Sequence, residues 1–254
     1  MIGKCKLCEK EMELCKSHII PEFFYDKIYD IKPRKFWFFI LNSKESYKKQ
    51  EQKGLREYLL CKVCEKEFSV YEKYAAEIIY AKNRRSPVLL KKKSGNENVT
   101  VNEFNGFDYD KFKLFLMSIL WRISISSEKF NVVEISEEHK NILHQALKDK
   151  RPLDEDEYPC TLQIILQADN SSFGGTIIGP YETQYNGHQV INILADGFLF
   201  SFILGCVNLL PDIQNTMLNR KGEMAILTKK VQSDANLMEA VRLITEKHAD
   251  LYKR

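Results

Sequence analysis

The chain has 254 residues, of which 44% are hydrophobic and 29% are charged, and its formal net charge is +3. This composition predicts a globular protein with a full core, folded as one large domain or as two unequal ones. The longest apolar runs, 36–41 and 198–206, are shorter than the roughly 18 residues that span a bilayer. The first residues also lack the apolar segment of a secretion signal, so we expect a cytoplasmic protein with no membrane partner.

The charge is distributed unevenly along the chain. Residues 1–100 hold 22 Lys and Arg against 14 Asp and Glu, whereas residues 101–254 hold 16 against 21. A basic half beside an acidic half suggests a polyanionic partner for the basic half. The alternative is a lysine-rich surface that only keeps the protein soluble.

Four features divide the first hundred residues. Residues 1–18 are a predicted hairpin that carries the first cysteines, and residues 42–53 lack any apolar period and are predicted to be an exposed loop. Apolar residues at helical spacing predict a helix over residues 64–82. Residues 94–98 are typical of a turn, and we place a domain boundary between residues 94 and 106.

We therefore expect two units, 1–94 and 106–254. The second is predicted to be an α+β domain with a small, mostly antiparallel sheet. Its helices are predicted at 108–126, 136–148 and 234–252, and its strands at 160–167, 176–178, 190–194 and 198–204. In the first of these helices, Trp121 and Arg122 are expected to be a core residue and an ion-pairing or capping residue. The unit could bind a protein partner or a second copy of the chain.

Four of the seven cysteines form two Cys-x-x-Cys pairs, Cys5/Cys8 and Cys61/Cys64. Each pair presents two thiolates to one metal ion, and two pairs complete the tetrahedral shell of a structural Zn²⁺. A competing ligand set combines the first pair with Cys15 and His18 and leaves the second pair unused. A third interpretation is that the pairs are reduced cysteines without a metal. We favour the four-cysteine set, with Cys15 as a small buried residue.

Three segments carry a resemblance to a known family. Cys5-Lys-Leu-Cys8, His18-Ile-Ile-Pro21 and Leu60-Cys-Lys-Val-Cys64 follow one another as in the zinc-containing branch of the HNH (ββα-metal) endonucleases, which the chain resembles over about residues 5–80. The resemblance implies an N-terminal zinc-bound ββα-metal, treble-clef-like module. It also implies that His18 is the general base in DNA phosphodiester hydrolysis, with Mg²⁺ or Mn²⁺ as catalytic ion. Alternatively, His18 braces the zinc site through a hydrogen bond.

Three positions depart from the family pattern. Ser17 stands where the family usually has a metal ligand, and Arg56 or Glu57 falls at the position of its middle Asn. Glu65 follows the second cysteine pair in place of Asn or His, and its carboxylate could bind a hard ion. The candidate catalytic residues are thus His18, Glu65 and Arg56. The other helical glutamates, Glu67 and Glu72, are expected to be solvated.

A group of basic residues follows the predicted helix and could hold DNA phosphates: Arg84, Arg85, Lys91, Lys92 and Lys93. A solvated basic face is the alternative. The implied function is a metal-dependent DNA endonuclease, in a setting such as bacterial defence against foreign DNA. The alternative is a catalytically inactive HNH-fold zinc module that binds nucleic acid or protein within a regulatory assembly.

Overall fold

The computed structural model describes residues 1–26, 29, 36–41, 46–51, 54–80, 87–96, 99–127, 133–205 and 211–247. It confirms the α+β class. The strands are β1 (Ile2–Lys4), β2 (Glu11–His18), β3 (Phe36–Leu41), β4 (Ser46–Glu51), β5 (Arg56–Cys61), β6 (Val88–Asn96), β7 (Val99–Asn105), β8 (Cys160–Leu166), β9 (Ile177–Tyr185), β10 (His188–Ala195), β11 (Phe198–Ile203) and β12 (Glu223–Lys230). The helices are α1 (Lys62–Ile79), α2 (Tyr109–Ile125), α3 (Glu137–Lys148), α4 (Pro211–Gln214) and α5 (Ala235–Lys247).

The cysteine pairs lie on a small three-stranded sheet in the order β1-β2-β5. The predicted hairpin is confirmed, because β1 and β2 pair antiparallel. β2 also pairs antiparallel with β5, which returns the chain to the hairpin after a long excursion. α1 begins directly after β5, two residues earlier than predicted. The order around the cysteines is therefore hairpin, returning strand and helix.

A second sheet has nine strands in the order β4-β3-β9-β10-β11-β8-β12-β7-β6. It is antiparallel except for the β3–β9 and β8–β12 pairs. The prediction of a small sheet was wrong, because five strands that the sequence patterns did not reveal join it: β3, β4, β6, β7 and β12. The predicted boundary at 94–106 falls on the β6–β7 hairpin of this sheet, and the division into two units stays a prediction.

The predicted exposed loop at 42–53 was wrong, because residues 46–51 form β4 and pair with β3. β4 is the edge strand of the large sheet, and an edge strand can be polar because it need not be covered on both faces. The predicted turn at 94–98 was wrong for residues 94–96, because β6 continues to Asn96. Residues 97–98 lie outside the described part of the chain.

The main core surrounds α2, which is buried along most of its length and packs against α1 and α3. Asp108 caps α2 by accepting the Lys111 N–H, and Ser136 caps α3 by accepting the His139 N–H. The aromatic segment after β2 joins the same core, with the Phe24 ring 5.7 Å from the ring of Phe200 in β11. None of the helices within the described ranges is both long and apolar enough to cross a membrane.

Candidate metal centre and its surroundings

The two cysteine pairs come together in space. The four Sγ atoms of Cys5, Cys8, Cys61 and Cys64 all lie within 4.8 Å of one another. The Cys61–Cys64 and Cys8–Cys61 Sγ distances are 3.6 and 3.9 Å. Four thiolates bound tetrahedrally at Zn–S distances of about 2.3 Å are roughly 3.8 Å apart. The donor set and its spacing therefore fit a metal ion such as zinc.

The local backbone explains why the thiols converge. Cys5 and Cys8 lie in the tight connection between β1 and β2, which is closed by the Cys5 N–H to the Lys10 carbonyl. Cys61 ends β5 and Cys64 lies in the first turn of α1, where the helix dipole favours negative charge. The Cys61 N–H donates a 3.3 Å hydrogen bond to Cys5 Sγ, so the backbone of the second pair helps to hold a sulfur of the first pair in place.

The thiols differ in their pKa values. Burial acts to raise the pKa of Cys5, but hydrogen bonds from the backbone of Cys61, Cys8 and Leu7 outweigh it and lower the pKa to about 7. For Cys64, burial followed by the interaction with Cys61 raises the pKa. A cation bound by the four sulfurs would favour the thiolate form of each, because opposite charge stabilises an ionised group.

The competing ligand set is not assembled. Cys15 pairs with Leu60 across β2 and β5, and His18 pairs with Arg56 at the end of the same ladder. Neither belongs to the sulfur cluster. Within the described residues, the four cysteines are the single group of three or more His, Cys, Asp or Glu side chains close enough to share an ion.

His18 lies at the end of β2, beside Arg56. Directly paired residues present their side chains on the same face of a sheet, so the structure brings these two candidate catalytic residues together. The His18 ring centroid is 6.2 Å from that of buried Tyr25. The His18 carbonyl accepts a 2.7 Å hydrogen bond from Arg122 Nη1, which fixes the backbone at this point.

Glu65, the third candidate, is held on the other side of β2. The fully buried Ser17 hydroxyl accepts the Leu60 N–H at 3.1 Å and also hydrogen-bonds the Glu65 carboxyl group. Burial raises the pKa of Glu65, although the Ser17 hydrogen bond and the charge of Arg122 oppose the shift. Glu65 Oε1 is buried and has no hydrogen-bond partner, so one carboxyl oxygen is available to a ligand. Since neighbours along a strand face opposite ways, Ser17 and His18 point apart.

Glu57 has a structural contact that the sequence did not indicate. Its carboxylate accepts hydrogen bonds from the Ser127 N–H at 2.9 Å and the Ser127 hydroxyl at 2.8 Å. It therefore ties β5 to the segment that follows α2.

The sequence reasoning missed the partner of Arg122. This buried residue of α2, 2% exposed, forms a 2.7 Å ion pair with Glu72 of α1, so the predicted ion pair is confirmed, whereas the prediction that Glu72 is solvated was wrong. Arg122 Nε also donates to the Ser118 carbonyl. The sequence did contain a signal for this ion pair. Glu65 and Glu72 are seven residues apart, which places both on one face of α1, and the apolar helix α2 carries a single arginine, Arg122, that could pair with them.

The predicted DNA-binding lysines, Lys91, Lys92 and Lys93, lie exposed on β6 at the edge of the large sheet. Lys93 Nζ forms a 2.6 Å ion pair with Glu103 Oε1 on the neighbouring strand. Arg84 and Arg85 lie outside the described residues.

No protein-family model matches the chain, and neither a curated protein nor a solved structure matches it. The resemblance to HNH endonucleases therefore stays an expectation from three sequence segments.

The arrangement combines a candidate metal centre with an adjacent polar region. The four sulfurs can hold an ion that joins the β1–β2 hairpin to the start of α1. Next to them, His18 and Arg56 offer a base and a cation on one face of β2 and β5. Glu65, Ser17 and Arg122 form a buried polar group on the other side.

Proposed function

We propose that this protein is an HNH-like endonuclease that cuts DNA, with a structural Zn²⁺ held by Cys5, Cys8, Cys61 and Cys64. The observation that supports the proposal is the order of hairpin, returning strand and helix around the four sulfurs, with His18 at the end of β2. This order is the one that the family resemblance implies. Bacterial defence against foreign DNA is the proposed setting.

In this proposal His18 is the general base. A neutral imidazole can take a proton from the water that attacks a phosphodiester at cellular pH. Arg56, paired with His18 across the strands, would hold a phosphate oxygen next to that water. When bound, Mg²⁺ or Mn²⁺ would supply charge stabilisation at the phosphate. Glu65 has an unpartnered Oε1, but it lies on the other side of β2 from His18 and is given no role in this step. Lys91 to Lys93, with Arg84 and Arg85, would hold the DNA backbone.

A second candidate is a catalytically inactive zinc module of the same fold that binds nucleic acid or protein. The observation that favours it is the use of Ser17 and Glu57 in internal hydrogen bonds with Leu60 and Ser127. The family uses the corresponding positions to bind a catalytic ion or to orient the base, whereas here both side chains stabilise the fold.

Incubation of plasmid DNA with the protein and Mg²⁺ or Mn²⁺ separates these candidates. The endonuclease proposal expects nicked or linear products from the wild type and from His188→Ala, a matched histidine variant on β10. It expects no products from His18→Ala, with metal content and circular dichroism unchanged. Cleavage that survives His18→Ala, or no cleavage with any divalent ion, would overturn the proposal.

If cleavage is absent, the salt dependence of DNA binding tests the second candidate. Each lost phosphate contact should reduce the slope of log K against log salt by about 0.9. Replacing Lys91, Lys92 and Lys93 together by Gln should therefore weaken binding and flatten the slope, whereas Lys140→Gln on α3 should leave both unchanged. If the wild type does not bind DNA at all, a role in protein assembly becomes the leading candidate.

A further inference from the structure

The two faces of the large sheet differ in character. One face carries the apolar side chains that pack against α2. The opposite face holds a cavity of about 260 Å³ between β8–β11 and the segments that contain α4 and the start of α5. Pockets for small molecules are typically of about 300 Å³ or more, so this cavity lies slightly below that range and suits a small ligand.

A row of polar side chains crosses the cavity floor. The row passes through four adjacent strands, each member directly paired with the next: Thr161, Ser201, Asn192 and Tyr181. Paired residues share a face, so two hydroxyls, a carboxamide and a phenol are aligned. Asn192 is 5% exposed, and its Nδ2 donates to Thr183 Oγ1 at 2.8 Å, which fixes the amide in the row.

The polar row separates two apolar clusters on the same sheet face. The cluster on one side lies under α5 and includes Ile165, Leu199 and Leu237. The cluster on the other side consists of Val190, Ile203 and Met217 with Tyr185 and Ile213 packed against it. A face that served only to bury α5 would be apolar throughout. The interruption by polar residues between two packed clusters therefore needs a separate explanation.

Three of the lining residues have a buried polar atom that lacks a hydrogen-bond partner: Thr161 Oγ1, Gln163 Oε1 and Tyr185 OH. Buried polar atoms in native proteins are normally hydrogen-bonded. All three of these atoms belong to residues that line this one cavity. Their concentration indicates a site whose polar groups are completed by a bound molecule.

The charges at the cavity neutralise each other. Lys229 and Asp234 form a 2.6 Å ion pair whose side chains are 16% and 12% exposed. Asp234 also accepts the Leu237 N–H in the first turn of α5, which keeps the carboxylate in place. Among the described residues that line the cavity, Lys229 and Asp234 are the charged ones, and they pair with each other. The site therefore offers no unpaired cation that could bind a phosphate group. A neutral ligand fits it best.

We propose that this cavity binds a small neutral ligand of the nucleoside class. Carboxamides such as those of Gln163 and Asn192 can hydrogen-bond to the edge of a nucleobase, which carries both donors and acceptors. The hydroxyls of Thr161 and Ser201 suit those of a ribose, and tyrosine rings stack on bases. The proposal rests on the sheet face alone and does not depend on the proposed endonuclease activity.

Calorimetric titration of the full chain with adenosine, guanosine, cytidine and uridine tests the proposal, with glucose as a hydroxyl-rich probe that has no base. We expect saturable binding of at least one nucleoside with one site per chain. Thr161→Val and Gln163→Ala should each weaken it by about tenfold, because each removes a hydrogen-bonding group. Gln145→Ala on α3 is the matched control and should bind as the wild type does.

One further readout and one further variant keep the result independent of folding. Thr161→Val should unfold at the same or a higher temperature than the wild type without ligand, because the lost oxygen has no partner in the protein. Ser201→Ala gives a second variant of the polar row. Three results would overturn the proposal: no nucleoside binding to the wild type, full retention of binding by both Thr161→Val and Gln163→Ala, or binding of glucose alone.

Discussion

At the scale of single residues, Arg122 joins the cysteine-bearing part of the chain to the main core. Its guanidinium contacts Glu72 of α1, the His18 carbonyl at the end of β2 and the Ser118 carbonyl in its own helix. A buried cation is tolerated only when it is paired and hydrogen-bonded, and these contacts meet that condition.

Removing this cation should therefore destabilise the protein strongly. We expect Arg122→Met to lower the free energy of unfolding by about 3 kcal/mol, because it leaves Glu72 and the His18 carbonyl without their partner. Urea unfolding measures the change. Arg242→Met is the control: its ion pair with Glu239 is about half exposed on both sides, so the loss should stay below about 1 kcal/mol. Equal losses in the two variants would contradict the role of Arg122.

A second buried cation, Lys113 of α2, gives a prediction for pH dependence. Its Nζ donates to the carbonyls of Glu157 and Tyr158, at 2.6 and 3.2 Å, and burial lowers its pKa to about 8. Between pH values of about 8 and 10.5, the latter being the ordinary lysine pKa, the unfolded chain holds a proton on Lys113 that the folded chain has lost. Stability from this group therefore rises with pH in that window.

The comparison variant is Lys113→Gln. The stability of the wild type relative to the variant should increase between pH 8 and pH 10, by up to about 1.4 kcal/mol per pH unit. Chemical unfolding across this range measures the difference. A difference that stays constant or falls would show that Lys113 keeps its proton in the folded state.

At the scale of elements, the start of α2 is held in place by the side chain and the backbone N–H of one residue. Asp108 accepts the Lys111 N–H at 3.1 Å, and its own N–H donates to the Tyr74 hydroxyl of α1 at 2.6 Å. The cap therefore fixes both the first turn of α2 and its position against α1.

Substitution of this cap should weaken the helix by a predictable amount. Asp108→Ala should cost about 1 kcal/mol of stability, whereas Asp108→Asn, which keeps a capping oxygen, should cost much less. Thermal unfolding of both variants provides the test. Equal costs would indicate that the exposed ion pair with Lys111, and not the cap, is the stabilising contact.

At the scale of the whole molecule, the sulfur cluster connects two segments that are more than fifty residues apart in sequence. Around it, α1 packs on α2, with the Phe68 ring 6.1 Å from that of Trp121. The free energy of metal binding at such a cluster contributes directly to folding. Loss of the metal should therefore also loosen the contact between α1 and α2.

Cys61→Ser should abolish stoichiometric zinc and lower the unfolding temperature, because it removes one of four ligands. Metal analysis of the purified protein and thermal unfolding measure both effects. Cys15→Ser is the matched control, since Cys15 lies outside the cluster, and it should keep its zinc. Stoichiometric zinc in Cys61→Ser would instead support the ligand set that includes Cys15 and His18.

Local patterns in the sequence were sufficient for several features of this protein. Two Cys-x-x-Cys pairs predicted the four residues that converge, and apolar spacing predicted α2 and α3 closely. Each cysteine pair and each helix is defined by neighbours within a few residues, so the signal for each is complete in a short window of sequence.

The tertiary structure decided the rest, because the relevant partners are distant in the chain. β4 is polar and becomes a strand only through its pairing with β3. Glu72 becomes a buried ion-pair partner only when α2 brings Arg122 against it. The polar row of Thr161, Ser201, Asn192 and Tyr181 exists only in the register of four strands. The sequence by itself determined which residues could bind a metal and where the main helices lie. Only long-range pairing decided the size of the sheet, the surroundings of His18 and the existence of the cavity.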